Sequence, residues 1–262
     1  MRIVSNGTAI YYQEAGAGFP LILLHGLSDS SRLWAPLIPE LSGCYRVVAP
    51  DIRGHGQSEK PNTQYSIQIF TEDLVHLLQE IGIVNAHVVG FSLGAAIAQQ
   101  LALDHPEKIC SLTLLSPFSY CGLTLRGNLE RLRESLTKGG LPAFFDEAIN
   151  LVVTPDFVSS NSNLIAEMKK GCVKVNSSAA ILRSIDACTN FNVKDRLSAI
   201  SPPTLIISGR EDAMSSISLA QQIHLSIKNS DWKILEGVGH NLLVPNNVQE
   251  LSKIIAEFVG HH

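Results

Sequence analysis

Short apolar segments alternate with longer amphipathic ones along most of the chain. Several of the short segments are apolar at every position, which is typical of parallel strands that are covered on both faces. The predicted strands are Ala9–Tyr12, Leu21–Leu24, Tyr45–Ala49, Ala86–Val89, Ser111–Leu115, Thr204–Ser208 and Trp232–Leu235.

The segments between these strands carry apolar residues at helical spacing. One such helix ends at the breaker Gly82, and its apolar positions are Phe70, Leu74, Leu77, Leu78 and Ile81. A second lies near the C-terminus, with apolar positions Val248, Leu251, Ile255 and Phe258. Asn247 is its predicted N-cap, with Glu250 in the position of a capping box. The alternation of strands and helices predicts an α/β fold with a mostly parallel, doubly wound sheet.

One segment, from about Pro117 to Ser201, contains helical patterns but no convincing strand. Its apolar stripes are Leu125, Leu129, Leu132 and Leu136, then Phe144, Phe145, Ala148, Ile149 and Val152, then Leu164, Met168, Cys172 and Val175, then Ile181 and Ile185. Both ends of the segment lead into the same predicted sheet. We therefore predict a core formed by residues 1–116 and 202–262, with residues 117–201 inserted as a helical lid.

Composition narrows the class of protein. The 262 residues are 45% hydrophobic, enough for one sizeable core, and the formal net charge is −4. Acidic and basic residues are interspersed, so neither nucleic acid nor a charged membrane surface is a predicted partner. No signal peptide or membrane span is predicted, and the expected location is the cytoplasm. The cysteines are odd in number, five, and show no C-x-x-C pairing. We expect reduced, mostly buried thiols rather than disulfides or a metal site.

The strongest local motif is the pentapeptide Gly90–Gly94, Gly-Phe-Ser-Leu-Gly, which follows the strand Ala86–Val89 and opens a helical run. A serine on such a tight turn is held in a strained conformation with its hydroxyl exposed. The following helix directs N–H groups and its positive dipole end at a developing oxyanion. Ser92 is therefore a candidate nucleophile; the alternative is a glycine-rich turn with a capping serine.

A serine hydroxyl attacks well only when a base removes its proton. The candidate base is His240, in the glycine loop between the strand Trp232–Leu235 and the C-terminal helix. His25 and His55 are explained by the turns in which they lie. The remaining histidines before the C-terminal pair lie in helical or strand patterns: His76, His87, His105 and His224.

The third member of such a site is a carboxylate that orients the imidazole and stabilises its positive charge. Glu211 and Asp212 follow the strand Thr204–Ser208, at the carboxyl edge of the sheet. We prefer Asp212 and keep Glu211 as the second candidate. In the simpler interpretation, Asp212 only caps a helix that begins near Ser216.

Negative charge that develops on the substrate oxygen needs hydrogen-bond donors. The N–H of Leu93, directly after the serine, is one candidate. The second comes from the loop after the strand Leu21–Leu24, where Gly26 lets the backbone approach a substrate closely. We choose the N–H of Leu27 in that loop. These groups need no metal and no organic cofactor, and none is predicted.

Together these motifs resemble the α/β-hydrolase superfamily, and within it the small lidded esterases and lactonases similar to 3-oxoadipate enol-lactonase. The resemblance rests on Leu24–Gly26, Trp34, Asp51–Ser58, Gly90–Gly94, Gly209–Asp212 and Gly239–His240. It implies hydrolysis of a small ester or lactone through an acyl-enzyme on Ser92. The serine excludes dehalogenases and epoxide hydrolases, which place an aspartate there. Asp51, Arg53 and Ser58 are interpreted as residues that fix a loop.

The substrate pocket is predicted under the lid. Its candidate lining residues are aromatic: Trp34, Phe118, Tyr120, Phe144 and Phe145. In the alternative interpretation, most of these side chains pack the lid against the core. Arg126, Arg131 and Arg133 are candidates for contact with a substrate carboxylate, although a charged helical stretch is usually a solvated face.

Three other functions use the same fold and triad. A carbon–carbon bond hydrolase of vinylogous diketones usually carries an aromatic residue after the histidine, where this chain has Asn241. A perhydrolase needs only peracid chemistry at the same serine. A ligand receptor that turns over slowly would need a partner surface, and no pattern in the sequence marks one.

Overall fold

The computed structural model describes residues 1–262 and is organised around one sheet of eight strands. The strands are β1 (Arg2–Ser5), β2 (Thr8–Ala15), β3 (Phe19–Leu24), β4 (Tyr45–Pro50), β5 (Ala86–Phe91), β6 (Ile109–Leu115), β7 (Thr204–Gly209) and β8 (Ser230–Leu235). Their order is β1-β2-β4-β3-β5-β6-β7-β8; β1 and β2 are antiparallel to their neighbours and the remaining pairs are parallel. All seven predicted strands are present. Strand β1 was not predicted, because it is a short edge strand with no apolar run.

The helices cover both faces of the sheet. They are α1 (Ile38–Leu41), α2 (Ile67–Glu80), α3 (Leu93–Asp104), α4 (Leu123–Val152), α5 (Pro155–Ser160), α6 (Ser162–Val175), α7 (Ser178–Asn190), α8 (Ile217–Ser226) and α9 (Val248–Gly260). Short 3-10 helices lie at Ser31–Trp34, Pro106–Lys108, Lys194–Ala199 and Pro245–Asn247. None of the helices is both long enough and apolar enough to cross a bilayer.

Neighbouring side chains of the central strands pack into two separate apolar cores, one on each face of the sheet. In β3, Ile22 and Leu24 join the core that packs against α2 and α3, whereas Leu21 and Leu23 join the core that packs against α9. This division follows from the two-residue period of a strand, which sends neighbouring side chains to opposite faces. It confirms the predicted doubly wound α/β fold.

The cap of α9 differs from the prediction. Asn247 has φ −108° and ψ −10°, and its side chain makes no capping hydrogen bond. A capping side chain works from an extended backbone. Asn247 instead belongs to the 3-10 helix Pro245–Asn247, whose backbone already turns before α9 begins. By contrast, the Ser66 side chain caps α2 by accepting from the N–H of Ile69.

Four helices, α4 to α7, fill the chain between β6 and β7, together with one isolated bridge between Tyr120 and Asn192. The long helix α4 is broken at Gly140, which has φ 67° and ψ −163° and is followed by Pro142. Leucines before the break join the core on the α3 side: Leu125, Leu129, Leu132 and Leu136. Helix α6 has no fully buried residue, so it lies at the outside of this segment.

The five cysteines are all free thiols. Cys121 and Cys188 are buried, as expected, but Cys110 and Cys172 are half-buried and Cys44 is exposed. The expectation of mostly buried thiols is therefore met only in part, because Cys44 lies in a surface turn before β4. No three side chains of the His, Cys, Asp and Glu types lie together in a way that would hold a metal ion.

Candidate active site

The turn between β5 and α3 presents Ser92 with a strained backbone, φ 52° and ψ −109°. The flanking glycines make this turn possible. A Cβ atom on Gly90 would lie 2.4 Å from the Gly94 carbonyl oxygen, and one on Gly94 would lie 2.2 Å from the Leu24 carbonyl oxygen. Backbone strain of this kind costs about 1–3 kcal/mol and persists where the surroundings impose it. The turn therefore holds the Ser92 hydroxyl at the carboxyl edge of the sheet.

His240 contacts this hydroxyl. Its Nε2 lies 2.9 Å from Ser92 Oγ, and its Nδ1 lies 2.7 Å from Asp212 Oδ2. The histidine and aspartate side chains are almost completely buried, 3% and 4% exposed. The structure thus brings together three residues that are far apart in the sequence. Their hydrogen bonds run from the candidate nucleophile to the candidate base and on to the candidate orienting carboxylate.

Asp212 is itself held in one orientation. Its Oδ1 accepts hydrogen bonds from the N–H groups of Met214 and Ser215, at 2.9 and 2.8 Å. The Ser215 hydroxyl donates to Oδ2 at 3.0 Å. Asp212 therefore makes turn contacts before α8 as well as the contact with His240. It does not cap that helix as the simpler interpretation held, because Ser216 is the N-cap and accepts from the N–H of Ser218.

Glu211, the second candidate carboxylate, has a different contact. Its Oε2 accepts from the N–H of Val238 at 2.8 Å, in the loop that carries His240. This loop has two further attachments. The Ser116 hydroxyl donates to the His240 carbonyl at 2.7 Å, and the Asn241 N–H donates to the Val152 carbonyl at 2.7 Å. The loop is thus fixed from the sheet and from the end of α4.

The two predicted oxyanion donors flank Ser92. Leu93 is the first residue of α3, and Leu27 lines the same cavity as Ser92 and His240. A Cβ atom on Gly26 would lie 2.9 Å from the ring of Phe91, so a side chain there would disturb the loop. The positions of Leu27 and Leu93 suit the predicted role, which stays a prediction.

Asp51 joins the loop after β3 to the loop after β4. Its two carboxylate oxygens accept from the N–H groups of Ser31 and Gln57, both at 2.6 Å. The Ser58 hydroxyl donates to the Asp51 carbonyl at 2.6 Å. Arg53 forms a buried ion pair with Asp73 at 2.5 Å. These contacts agree with a loop-fixing role for Asp51, Arg53 and Ser58.

His25 belongs to the same scaffold. Its Nε2 accepts from the N–H of Ile52 at 2.9 Å, and its Nδ1 lies 2.8 Å from the Gly26 carbonyl oxygen. Burial lowers the pKa of His25, which favours the neutral ring that this acceptor role needs. His55 packs edge-on against it at 5.3 Å, and burial lowers its pKa to about 3. Neither histidine contacts Ser92.

A cavity of about 100 Å³ adjoins Ser92 and His240. Its apolar wall comes mainly from the helices between β6 and β7. Those side chains are Leu132, Phe144, Phe145, Ala148, Ile149, Val152 and Met168. Of the five predicted pocket residues, Phe144 and Phe145 line this cavity.

The structure places Trp34, Phe118 and Tyr120 outside the cavity lining. Trp34 is fully buried in the core on the α9 side. Phe118 packs edge-on against Phe191 at 5.9 Å in the other core. Tyr120 lies beside the bridge to Asn192, with the Lys194 ammonium 5.3 Å from its ring. Phe118 and Tyr120 agree with the alternative interpretation, in which aromatic side chains pack the inserted segment against the core, whereas Trp34 packs in the core on the α9 side.

The three candidate arginines also lie away from the cavity. Arg131 pairs with Glu147 and Arg133 pairs with Asp186, while Arg126 is exposed. No lysine or arginine lines the cavity. A substrate carboxylate would therefore find no cation beside Ser92.

Asp29 is a cavity residue that the sequence analysis missed. It lies in the loop after β3, two residues beyond Leu27, and its carboxylate faces the same space as Ser92 and His240. Burial raises its pKa to about 7, while the charge of His240 acts in the opposite direction. Its place in the predicted oxyanion loop was the one signal available, because nothing in the sequence shows which way an aspartate in a loop points.

Replacement of Asp29 by asparagine is expected to change the pH dependence of stability. The pKa is about 7 in the folded protein and about 3.9 in an unfolded chain. The folded state therefore holds the extra proton between these values, and its stability falls as pH rises through that window. Asp29→Asn should raise the free energy of unfolding at pH 8 by about 1–3 kcal/mol and have little effect at pH 4.

Urea unfolding at both pH values measures this difference. Asp156→Asn removes an exposed aspartate on α5 and serves as the control. An equal gain for Asp29→Asn at pH 4 and pH 8 would contradict the assigned burial.

A mostly parallel eight-stranded sheet with a serine on the turn after β5 is the arrangement of an α/β-hydrolase. A family model described as alpha/beta hydrolase fold matches residues 20–246, so the chain belongs to this family and is a hydrolase. The predicted fold and the predicted likeness to small esterases and lactonases are both confirmed.

Among curated relatives, the chain is similar to a Caulobacter vibrioides protein named "Putative carbamate hydrolase RutD". The two are 28% identical over 253 residues, which cover 93% of this chain and 94% of the relative.

Two solved structures resemble the fold closely. The enol-lactonase from Burkholderia xenovorans LB400 superposes with a TM-score of 0.90 at 22% identity, covering 99% of this chain and 100% of that one. Est816, described as an N-acyl homoserine lactone degrading enzyme, superposes with a TM-score of 0.86 at 28% identity, with coverage of 99% and 100%.

Proposed function

We propose that the protein is a serine hydrolase that cleaves a small carboxylic ester or lactone through an acyl-enzyme on Ser92. The observation that carries this proposal is the hydrogen-bonded chain from Ser92 Oγ through His240 to Asp212, with distances of 2.9 and 2.7 Å. The likeness to Est816, described as an N-acyl homoserine lactone degrading enzyme, supports the same class of substrate.

Acylation begins when His240 Nε2 takes the Ser92 proton as the oxygen attacks the substrate carbonyl. The carbonyl oxygen becomes negative and accepts hydrogen bonds from the N–H groups of Leu27 and Leu93. His240 then gives its proton to the leaving alcohol, and the C–O bond breaks. The acyl group is left on Ser92.

Deacylation repeats these steps with water in place of serine. His240 removes a proton from the water, the hydroxide attacks the acyl carbon, and Ser92 recovers the proton as the acid departs. Asp212 keeps Nδ1 protonated, so that Nε2 faces Ser92 as an acceptor, and it stabilises the imidazolium that forms in each step. Only side chains, backbone N–H groups and water take part.

The segment 117–201 acts as the lid over this chemistry. Its apolar side chains form most of the cavity wall, and the cavity carries no lysine or arginine. A neutral apolar group therefore suits this site better than a carboxylate, which would be buried without a partner. A lactone with a free carboxylate, such as an enol-lactone of a diacid, fits less well.

The proposal predicts a reactive serine. A fluorophosphonate probe is expected to label the folded protein once per chain, on the peptide that contains Ser92, and the protein is expected to hydrolyse short p-nitrophenyl esters. Mass spectrometry of the digested protein locates the label, and urea-unfolded protein is the control. Labelling elsewhere, or no labelling and no ester turnover, would contradict the proposal and favour a ligand receptor on the same fold.

A further inference from the structure

A second hollow lies against the catalytic cavity. It has a volume of about 260 Å³ and runs between the loop after β3, residues 28–33, and helix α6. It shares four lining residues with the cavity: Ser28, Asp29, Phe145 and Met168. Two of these come from the loop and two from the lid helices. We call this hollow the outer groove; these four residues lie between it and the catalytic cavity.

The catalytic cavity is too small for a long substrate. An apolar cavity of about 150 Å³ in a protein interior holds one benzene ring. The cavity beside Ser92 is smaller, about 100 Å³, and has no room for a long chain. A longer group bound at Ser92 has to leave the cavity, and the hollow on the other side of Asp29 and Phe145 is more than twice as large.

Half of the residues that line the outer groove are apolar: Leu33, Phe145, Met168, Cys172 and Val175. The loop side adds Ser28, Asp29, Ser30 and Arg32, and Gly171 of α6 completes the lining. Burial raises the pKa of the Cys172 thiol to about 11, so this side chain stays uncharged at neutral pH. An uncharged alkyl chain matches such a surface.

We propose that the outer groove is a second substrate subsite, which binds the distal part of an extended, unbranched alkyl chain whose ester or lactone carbonyl lies at Ser92. This inference rests on the proposed function and narrows it to substrates with a chain longer than the catalytic cavity can hold. Each methylene that enters the groove loses apolar contact with water, which favours longer chains by about two- to fourfold per added methylene.

Gly171 offers a way to block the groove without touching the catalytic residues. It lies on α6 in the groove wall, and a Cβ atom there would meet nothing within 4 Å. A phenylalanine at this position has room to be built and would occupy the groove. Gly127 is the matched control, because its Cβ would also meet nothing within 4 Å, while it lies on α4 and lines neither hollow.

The test compares kcat/KM for p-nitrophenyl acetate and octanoate, and for ethyl and octyl butyrate, so that the long chain lies on the acyl side in one pair and on the alcohol side in the other. We expect the wild type to prefer the long chain in one pair. Gly171→Phe should lower that long-to-short ratio at least tenfold, and Gly127→Phe should leave it within twofold.

Three results would overturn the subsite: no preference for the longer chain in either pair, a ratio unaffected by Gly171→Phe, or an equal loss with Gly127→Phe. Hydrolysis of the acetate by the wild type is read separately. Acetate turnover with any of these three results removes the subsite and leaves the serine hydrolase intact. Absence of turnover on all four esters, with no label on Ser92, removes both proposals.

Discussion

Replacement of Ser92 by alanine is expected to lower kcat by about 10⁶-fold, the effect of removing a nucleophile that acts together with its base. The side chain makes its hydrogen bond only with His240 Nε2. Without the hydroxyl no acyl-enzyme forms, and the base has no proton to take. The remaining rate comes from water bound in a site that still polarises the carbonyl, as in other triads that lose a member.

The fold should survive this change. Alanine has the same Cβ as serine and meets the same backbone strain at φ 52°. We expect the midpoint of urea unfolding to stay close to that of the wild type and fluorophosphonate labelling to disappear. Ser159→Ala, on an exposed part of α5, is the control. A variant lacking Ser92 that keeps more than about 1% of the activity would contradict the nucleophile assignment.

Replacement of Asp212 by asparagine is expected to lower kcat by about 10⁴-fold, the loss seen when the carboxylate of a triad becomes an amide. The amide oxygen can still accept from the N–H groups of Met214 and Ser215. The group that faces His240 Nδ1 then becomes a donor or a weaker acceptor, so the imidazole loses its preferred tautomer and the stabilisation of its charge.

Glu211→Gln is the matched control, because the sequence left both acidic residues as candidates. A glutamine keeps an oxygen for the Val238 N–H, which Glu211 now binds at 2.8 Å. We expect kcat to fall by less than about tenfold, because the contact between Glu211 and Val238 holds the loop and does not reach the imidazole. Measurement of kcat for both variants on one short ester shows which of the two carboxylates orients His240. Equal losses would contradict the assignment of Asp212.

Much of the fold could be predicted from local patterns in the sequence. The strands of a doubly wound sheet are covered on both faces, so many of them are apolar runs, and all seven predicted strands are present. The candidate triad follows from the same regularity. In a parallel sheet, the carboxyl ends of β5, β7 and β8 lie along one edge. Residues placed just after those strands, Ser92, Asp212 and His240, therefore meet there, although long stretches of chain separate them.

Those patterns do not show in which direction an individual side chain points. Trp34, Phe118 and Tyr120 satisfy the same apolar pattern whether they line a pocket or join a core, and the packing of the inserted helices decides between the two. Asp29 was missed for the converse reason. A polar residue in a loop usually faces water, and only the position of α6 and Phe145 shows that this one faces the cavity.

The 2.7 Å hydrogen bond between the Asn241 N–H and the Val152 carbonyl joins the inserted helices to the loop that carries His240, the proposed base. Val152 ends α4 and also lines the cavity, while Asn241 follows the histidine directly. A movement that carried the end of α4 outward would break this bond and leave the His240 loop held only from the sheet, by Ser116 and Glu211. By reciprocal linkage, a ligand that holds α4 in place would also help to hold the histidine. We therefore expect outward movement of α4 to lower the reactivity of Ser92, so that exposure to bulk water and reactivity do not coincide.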